Sequence, residues 1–347
     1  MLEPTTTFVT GATGFIGSKL VHELAQQGHR VRALSRQAQP KPVPGLKQAG
    51  FDFQHPNIEL VQGDIADRAA LQRGMAGCTQ VFHLAGYAKN WAPQRQTYWD
   101  TNVEGLRNIC ETAQRLKVSK VVWTSTMLTF GSTPPGMVGD EAMPRMRPDY
   151  LTDYEASKAD GERLAQQFVE SGLNVVIVNP GRVFGPGYLT EGNALAQIVD
   201  LYDRGRAPVL FNFGRNVGNY VYVDDVVQGH LGAMERGRSG EKYLLGGDNV
   251  SLKEFFRTID RVSGKRHWQI PLLKYSALAL AYLQQWRARW FGVYPQITPP
   301  WVRTFALEWA YSSAKAEREL GYQPRSLEAG LRETYDWLRA IRREARS

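Results

Sequence analysis

Two side chains four residues apart carry the first chemical signal: Tyr154 and Lys158, in the run Tyr154-Glu-Ala-Ser-Lys158. On a helix they share one face. A phenol that ionises at about pH 10 is a poor acid–base group at neutral pH. A lysine ammonium one turn away pulls that value down toward the working range. Upstream, Thr124-Ser-Thr126 sets hydroxyls at the end of an apolar, strand-like run. Thr126, with Ser125 beside it, is placed there to hold a substrate oxygen while Tyr154 moves a proton.

The second signal is Thr10-Gly-Ala-Thr-Gly-Phe-Ile-Gly17, between a strand-like run and an amphipathic one. Gly11 allows a tight turn, Gly14 lets backbone approach a pyrophosphate, and Gly17 lets helix and strand pack closely. With Thr13, Phe15 and Ile16 they form a loop for a dinucleotide. The second strand ends in Val31-Arg-Ala-Leu-Ser-Arg36, and no acid follows until Asp52. An acid there would bind a ribose hydroxyl, whereas an Arg accommodates a 2′-phosphate. Ser35 and Arg36, with Lys41 within reach, predict NADP, with NAD as the alternative. Asp64 and Ile65 are placed to meet the adenine. Leu84, Ala85 and Gly86 form a wall under the cofactor, beside a packed His83. Thr124, Pro180 and Val183 complete the cofactor set together with Tyr154 and Lys158, whose acidity the positive ring of an oxidised nicotinamide would also adjust.

These groups need a scaffold, and the first 180 residues supply one. Short apolar runs at 6–10, 31–34, 58–61, 81–84, 121–123 and 175–178 alternate with helical patterns at 15–27, 103–116 and 154–169. The runs do not alternate polar with apolar, as expected of strands covered on both faces. The class is α/β: a Rossmann-type doubly wound parallel sheet over residues 1–180, with a smaller C-terminal α+β substrate lobe over 181–347. A later strand and helix near 215–235 are expected to return to the first domain. Strand-like pieces at 209–213, 220–223 and 242–245 belong to the looser second half.

The 347-residue chain is long enough for a sizeable core, and its 43% hydrophobic content excludes disorder as the main state. Its two cysteines, Cys78 and Cys110, exclude a disulfide-stapled fold and a Cys-rich zinc module. No metal is expected. The net charge is +8, and fourteen Lys and Arg against seven Asp and Glu fall from residue 265 onward. No nucleic-acid module accompanies that charge, so no nucleic-acid partner is expected. The start Met1-Leu-Glu-Pro-Thr carries no signal-peptide pattern, and no apolar run reaches the length of about 18 residues needed to span a bilayer. A cytoplasmic location follows as the expectation. The run 272–291 closes on Trp286-Arg-Ala-Arg-Trp-Phe291. It reads either as a lid or lobe-packing helix, or as an interfacial helix making weak contact with an anionic membrane surface.

Taken together, the motifs resemble the extended short-chain dehydrogenase/reductases, the NAD(P)-dependent epimerase/dehydratase superfamily. The likeness rests on Thr10–Gly17, His83–Gly86, Asn102-Val-Glu-Gly105, Thr124–Thr126, Tyr154–Lys158, Asn179–Pro186, Tyr222-Val-Asp-Asp225 and Glu319–Pro324. It implies a triad of Thr126 (where Ser is more usual), Tyr154 and Lys158, and it sets Asn102 near the nicotinamide end. Nucleotide-sugar members carry an Arg before the Val-Asp-Asp segment, where this chain has Gly218; Arg215 lies three residues out of register. Met127-Leu128 replaces the Asp-Glu pair of the 4,6-dehydratases. The chain is instead similar to the dihydroflavonol reductase and 3β-hydroxysteroid dehydrogenase branch, which implies hydride transfer between NADP and an apolar ketone or secondary alcohol. Trp91, Tyr98, Trp99, Tyr188 and Phe211 are candidate pocket residues, with Ser125, Thr126, Tyr154 and Tyr188 contacting the substrate. A sugar or nucleotide-sugar epimerase with tightly bound NAD(P) is the alternative. A homodimer or a monomer is expected.

Overall fold

The computed structural model describes residues 5–40, 53–206 and 209–344; Lys41 and Asp52 lie outside them. The alternating runs fold as β1 (Thr6–Thr10), α1 (Phe15–Gln26), β2 (Arg30–Ser35), β3 (Ile58–Gln62), α2 (Arg68–Met75), β4 (Gln80–His83), α3 (Gln96–Trp99), α4 (Gly105–Arg115), β5 (Lys120–Thr124), α5 (Asp153–Glu170) and β6 (Val175–Pro180). Both faces of the central strands are covered, so Val121, Val122, Trp123 and the four residues 175–178 are fully buried.

The later elements are β7 (Arg182–Phe184), α6 (Ala194–Asp203), β8 (Val209–Phe211), β9 (Val217–Tyr222), α7 (Val223–Arg236), β10 (Lys242–Leu245), β11 (Asp248–Ser251), α8 (Leu252–Ser263), β12 (Ile270–Leu272), α9 (Lys274–Phe291), α10 (Pro299–Phe305), α11 (Ala314–Leu320) and α12 (Leu327–Glu344). The large sheet has seven strands in the order β10-β6-β5-β4-β1-β2-β3, and all its pairings are parallel. Strand order reverses between β1 and β4, so a crevice opens beyond their carboxyl ends, where such sheets bind ligands.

Of the segment expected to return near 215–235, the helix does so and the strand does not. Val226, Val227 and Leu231 of α7 join the core formed by Val9, Val122 and Val176. β9 instead pairs with β7 and β11 in a three-stranded sheet. Its Tyr220 and Tyr222 pack with Phe184 and Phe255 in the core of the smaller lobe, which holds them there. The strand that returns is β10, beside β6, with Tyr243, Leu244 and Leu245 fully buried.

Candidate active site

The β1–α1 loop is shaped by close backbone approaches. Gly11 has φ +69°, and a Cβ on it would lie 2.6 Å from the backbone of Leu84 and Ala85. A Cβ on Gly17 would lie 2.1 Å from the Gly11 carbonyl oxygen, while Gly14 donates its N–H to that oxygen at 2.8 Å. Gly14 caps α1 without a side-chain hydrogen bond, and the first turn carries no acid. The helix thus presents free N–H groups and its positive end at the crevice, as a pyrophosphate requires. Thr13 sits half-buried on this loop, Phe15 is buried beneath it and Ile16 faces the cavity. These residues fit a dinucleotide.

Around that cradle, Arg36 is exposed just past the end of β2, and Ser35 is buried with its hydroxyl donating to the Gln37 carbonyl. Asp64 is exposed beyond β3, its carboxylate accepting the Ala66 N–H; Ile65 is buried against Gly105. Leu84 and Gly86 line the crevice, and Ala85 donates its N–H to Thr10. His83 is buried against the Thr10 hydroxyl, and burial lowers its pKa to about 3. It stays neutral in working conditions. Pro180 and Val183 lie across the crevice.

Tyr154 owes its position to the cap of α5. The Thr152 hydroxyl accepts the Glu155 N–H at 3.0 Å, and the buried Glu155 carboxylate takes the Leu151 N–H and the Arg145 guanidinium. This capping-box arrangement fixes the first helical turn. The Tyr154 phenol is hydrogen-bonded to Thr126, and burial outweighs that bond, raising its pKa to about 12. The phenol therefore keeps its proton at neutral pH. Lys158, one turn on, donates to the Thr124 carbonyl at 2.8 Å, and burial lowers its pKa to about 8 against the opposing pull of Glu162. The Thr124 hydroxyl donates to His230 Nε2, because Nδ1–H of that ring is taken by the Val226 carbonyl.

Two expected contacts carry inward hydrogen bonds, Ser125 while also lining the cavity. Ser125 donates its hydroxyl to Glu162 at 2.6 Å, within a buried network that also holds Thr129, Asn179 and Lys242. Asn102, in a π-turn before α4, accepts the Tyr87 N–H and donates to the Tyr87 carbonyl and Ser157. Its side chain props the loop after β4 and does not line the cavity.

Thr126, Tyr154 and Lys158 open onto a cavity of about 680 Å³. Its apolar wall includes Trp91, Trp301, Phe305 and Trp309, and its exposed rim carries Lys89, Arg95, Glu191 and Arg289. Tyr98 lines it too, with its hydroxyl on the Lys89 carbonyl. Trp99 bonds Asp160 instead, and Tyr188 is buried outside the lining. The Phe211 side chain falls outside the described residues.

Residues 7–246 match the NAD dependent epimerase/dehydratase family. The chain belongs to that family. It is an NAD(P)-dependent enzyme. It is 30% identical over 95% of its length to a Synechocystis sp. protein named "Putative dihydroflavonol 4-reductase", covering 93% of it. It is also 30% identical to the sterol demethylase protein B of Methylococcus capsulatus, covering 96% of this chain and 98% of that one. Among solved structures, that of gox2253 superposes with a TM-score of 0.80 at 31% identity, over 97% of this chain and 98% of the other.

One basic residue of the cavity, Arg182, was not among the residues expected from the sequence, and Arg215 lies out of register as expected. Arg215 is exposed over the Phe213 ring and away from the cavity. Arg182 enters the cavity from β7, stacked 4.2 Å over Phe305 and donating to the Tyr220 hydroxyl. Its signal in the sequence was an Arg inside Asn179-Pro-Gly-Arg182, two residues past a strand end.

Proposed function

We propose that the protein is an NADP-dependent oxidoreductase that reduces a ketone on an apolar small molecule, or oxidises the matching secondary alcohol. The observation that carries this reading is Tyr154 and Thr126 together at one end of a cavity walled by Trp91, Trp301, Phe305 and Trp309, where burial favours the protonated phenol. A nicotinamide bound in the crevice supplies or accepts hydride. Thr126 and Tyr154 hold the carbonyl oxygen, and Tyr154 gives its proton to the alkoxide as charge develops there. Lys158 places positive charge beside this oxygen and is suited to grip a ribose hydroxyl. Arg36, with no acid beside it, favours the 2′-phosphate of NADP. Residues 1–180 carry the cofactor, with α7 and β10 added, and the later lobe carries the substrate. We place the enzyme in the cytoplasm, as monomer or homodimer.

The test is NADPH oxidation with a panel of apolar ketones, in wild type and Tyr154→Phe. Turnover in the wild type and its loss in the variant, with NADPH affinity within about twofold, is the expected result. Equal turnover in both removes the mechanism. Arg182 favours one second reading, because a cation in the cavity also suits the diphosphate of a nucleotide sugar. An epimerase would interconvert such a sugar with no net change in nicotinamide absorbance.

A further inference from the structure

Helix α9 is built inside out. Its buried residues are Ala277, Ala281 and Ala288, whereas Tyr275, Tyr282, Leu283, Trp286, Trp290 and Phe291 are all more than half exposed. At about 100° per residue, Tyr275, Tyr282, Leu283, Trp286 and Trp290 form one stripe directly opposite the alanine face. Ala277 and Ala281 pack on Val302 of α10. Within the stripe Trp286 meets Phe291 edge-on and the Tyr282 hydroxyl accepts from Arg303 at 2.9 Å, yet every ring in it stays more than half exposed. Trp268, just before β12, is 94% exposed. A patch of this size on a water-facing surface marks an interaction site.

Charge selects the partner. Between residues 265 and 307 there is no Asp or Glu; Lys265 is paired with Asp203, while Arg266, Lys274, Arg287, Arg289 and Arg303 are also present. A second copy of the same face would meet it with like charge. Trp and Tyr with flanking Lys and Arg suit the headgroup layer of a bilayer, where amphipathic rings and snorkelling cations both find partners. No described helix is long and apolar enough to cross a membrane, so the contact is a surface one. Gln285 and Arg289 of α9 also line the active-site cavity, and Tyr294, just beyond the helix, bonds Glu191 on its rim.

We propose that α9 docks the protein on an anionic lipid surface through this aromatic stripe, setting the cavity rim against the bilayer. The docking stands by itself. Its use, entry of a lipophilic substrate from the membrane, rests on the reading given above.

The experiment is cosedimentation with equimolar phosphatidylglycerol/phosphatidylcholine vesicles and with pure phosphatidylcholine vesicles, at low and high salt. The expected result is pelleting with the anionic vesicles at low salt and release by high salt. Trp290→Ser/Phe291→Ser reduces partitioning about tenfold or more. Arg287→Gln reduces it about fivefold. An unchanged melting temperature shows that the variants fold. Wild type left in the supernatant overturns the proposal, as does equal pelleting of wild type and the double variant. So does a dimer that the double variant dissociates in place of vesicle binding. Vesicle binding without turnover of any ketone leaves the docking standing and removes the substrate reading alone.

Discussion

Arg182 occupies the space that a side chain at Gly218 would need: a Cβ on Gly218 would lie 2.4 Å from Arg182 Nη1. Arg182 pairs in register with Tyr220 across β7 and β9, and Gly218 lies two residues before Tyr220 on the same face. The absent side chain at 218 thus makes room for a cation from the neighbouring strand. If Arg182 grips a polar group of the substrate, Arg182→Leu raises KM about tenfold or more and moves kcat less, as loss of a charged hydrogen bond does. Gly218→Ala pushes the guanidinium aside and shifts KM in the same direction. An unchanged KM in both variants assigns Arg182 to lobe packing.

Gly17→Ala tests the cradle. The new Cβ would lie 2.1 Å from the Gly11 carbonyl oxygen, which is backbone and cannot swing away. We expect a loss of about 1–3 kcal/mol of stability together with weakened NADPH binding. Thermal melting and nicotinamide fluorescence report the two effects separately. Native stability with native affinity would mean that the loop yields easily.

Much of this architecture is legible in the sequence, for a physical reason. Strands covered on both faces read as unbroken apolar runs, and a glycine loop between strand and helix has few other uses. Tyr154 and Lys158 are visible because helical spacing alone puts them on one face. The direction of the Ser125 and Asn102 side chains is not visible, because each is set by a partner distant in sequence, Glu162 and Tyr87. The return of β10 is hidden likewise, since its short apolar run looks like that of β9. Arg182 is marked locally only as an Arg just past a strand end; its direction into the cavity is set by the β7–β9 register, which no local pattern carries.

Lys158 makes activity and stability diverge with pH. Its folded pKa is about 8, against 10.5 for the free side chain. Below about pH 8 it is charged; in the proposed mechanism that charge supports the substrate oxygen, so reductive kcat/KM is expected to fall as pH rises through that value. Between about 8 and 10.5 the unfolded chain holds the proton that the folded one has released, so this group's contribution to stability rises with pH. Lys158→Met removes both slopes. Rate profiles and melting temperatures across that window check it, and an alkaline limb surviving in the variant assigns it to another group.

In the proposed function, Arg36 is the residue that favours NADP over NAD. It sits one residue past β2, exposed, where a ribose 2′-substituent is read. A guanidinium there pairs with a 2′-phosphate in a charge-assisted contact and gains nothing from a bare hydroxyl. Arg36→Ala therefore weakens NADPH about tenfold or more and leaves NADH within about twofold. Raising the salt weakens NADPH binding to the wild type more than to the variant, because the exposed contact is screened. Titrations of both cofactors by nicotinamide fluorescence decide it. Equal affinities for NADPH and NADH in the wild type make Arg36 a solvated surface residue. The tightly bound NAD expected of an epimerase then becomes the stronger case, and nucleotide sugars the next ligands to titrate.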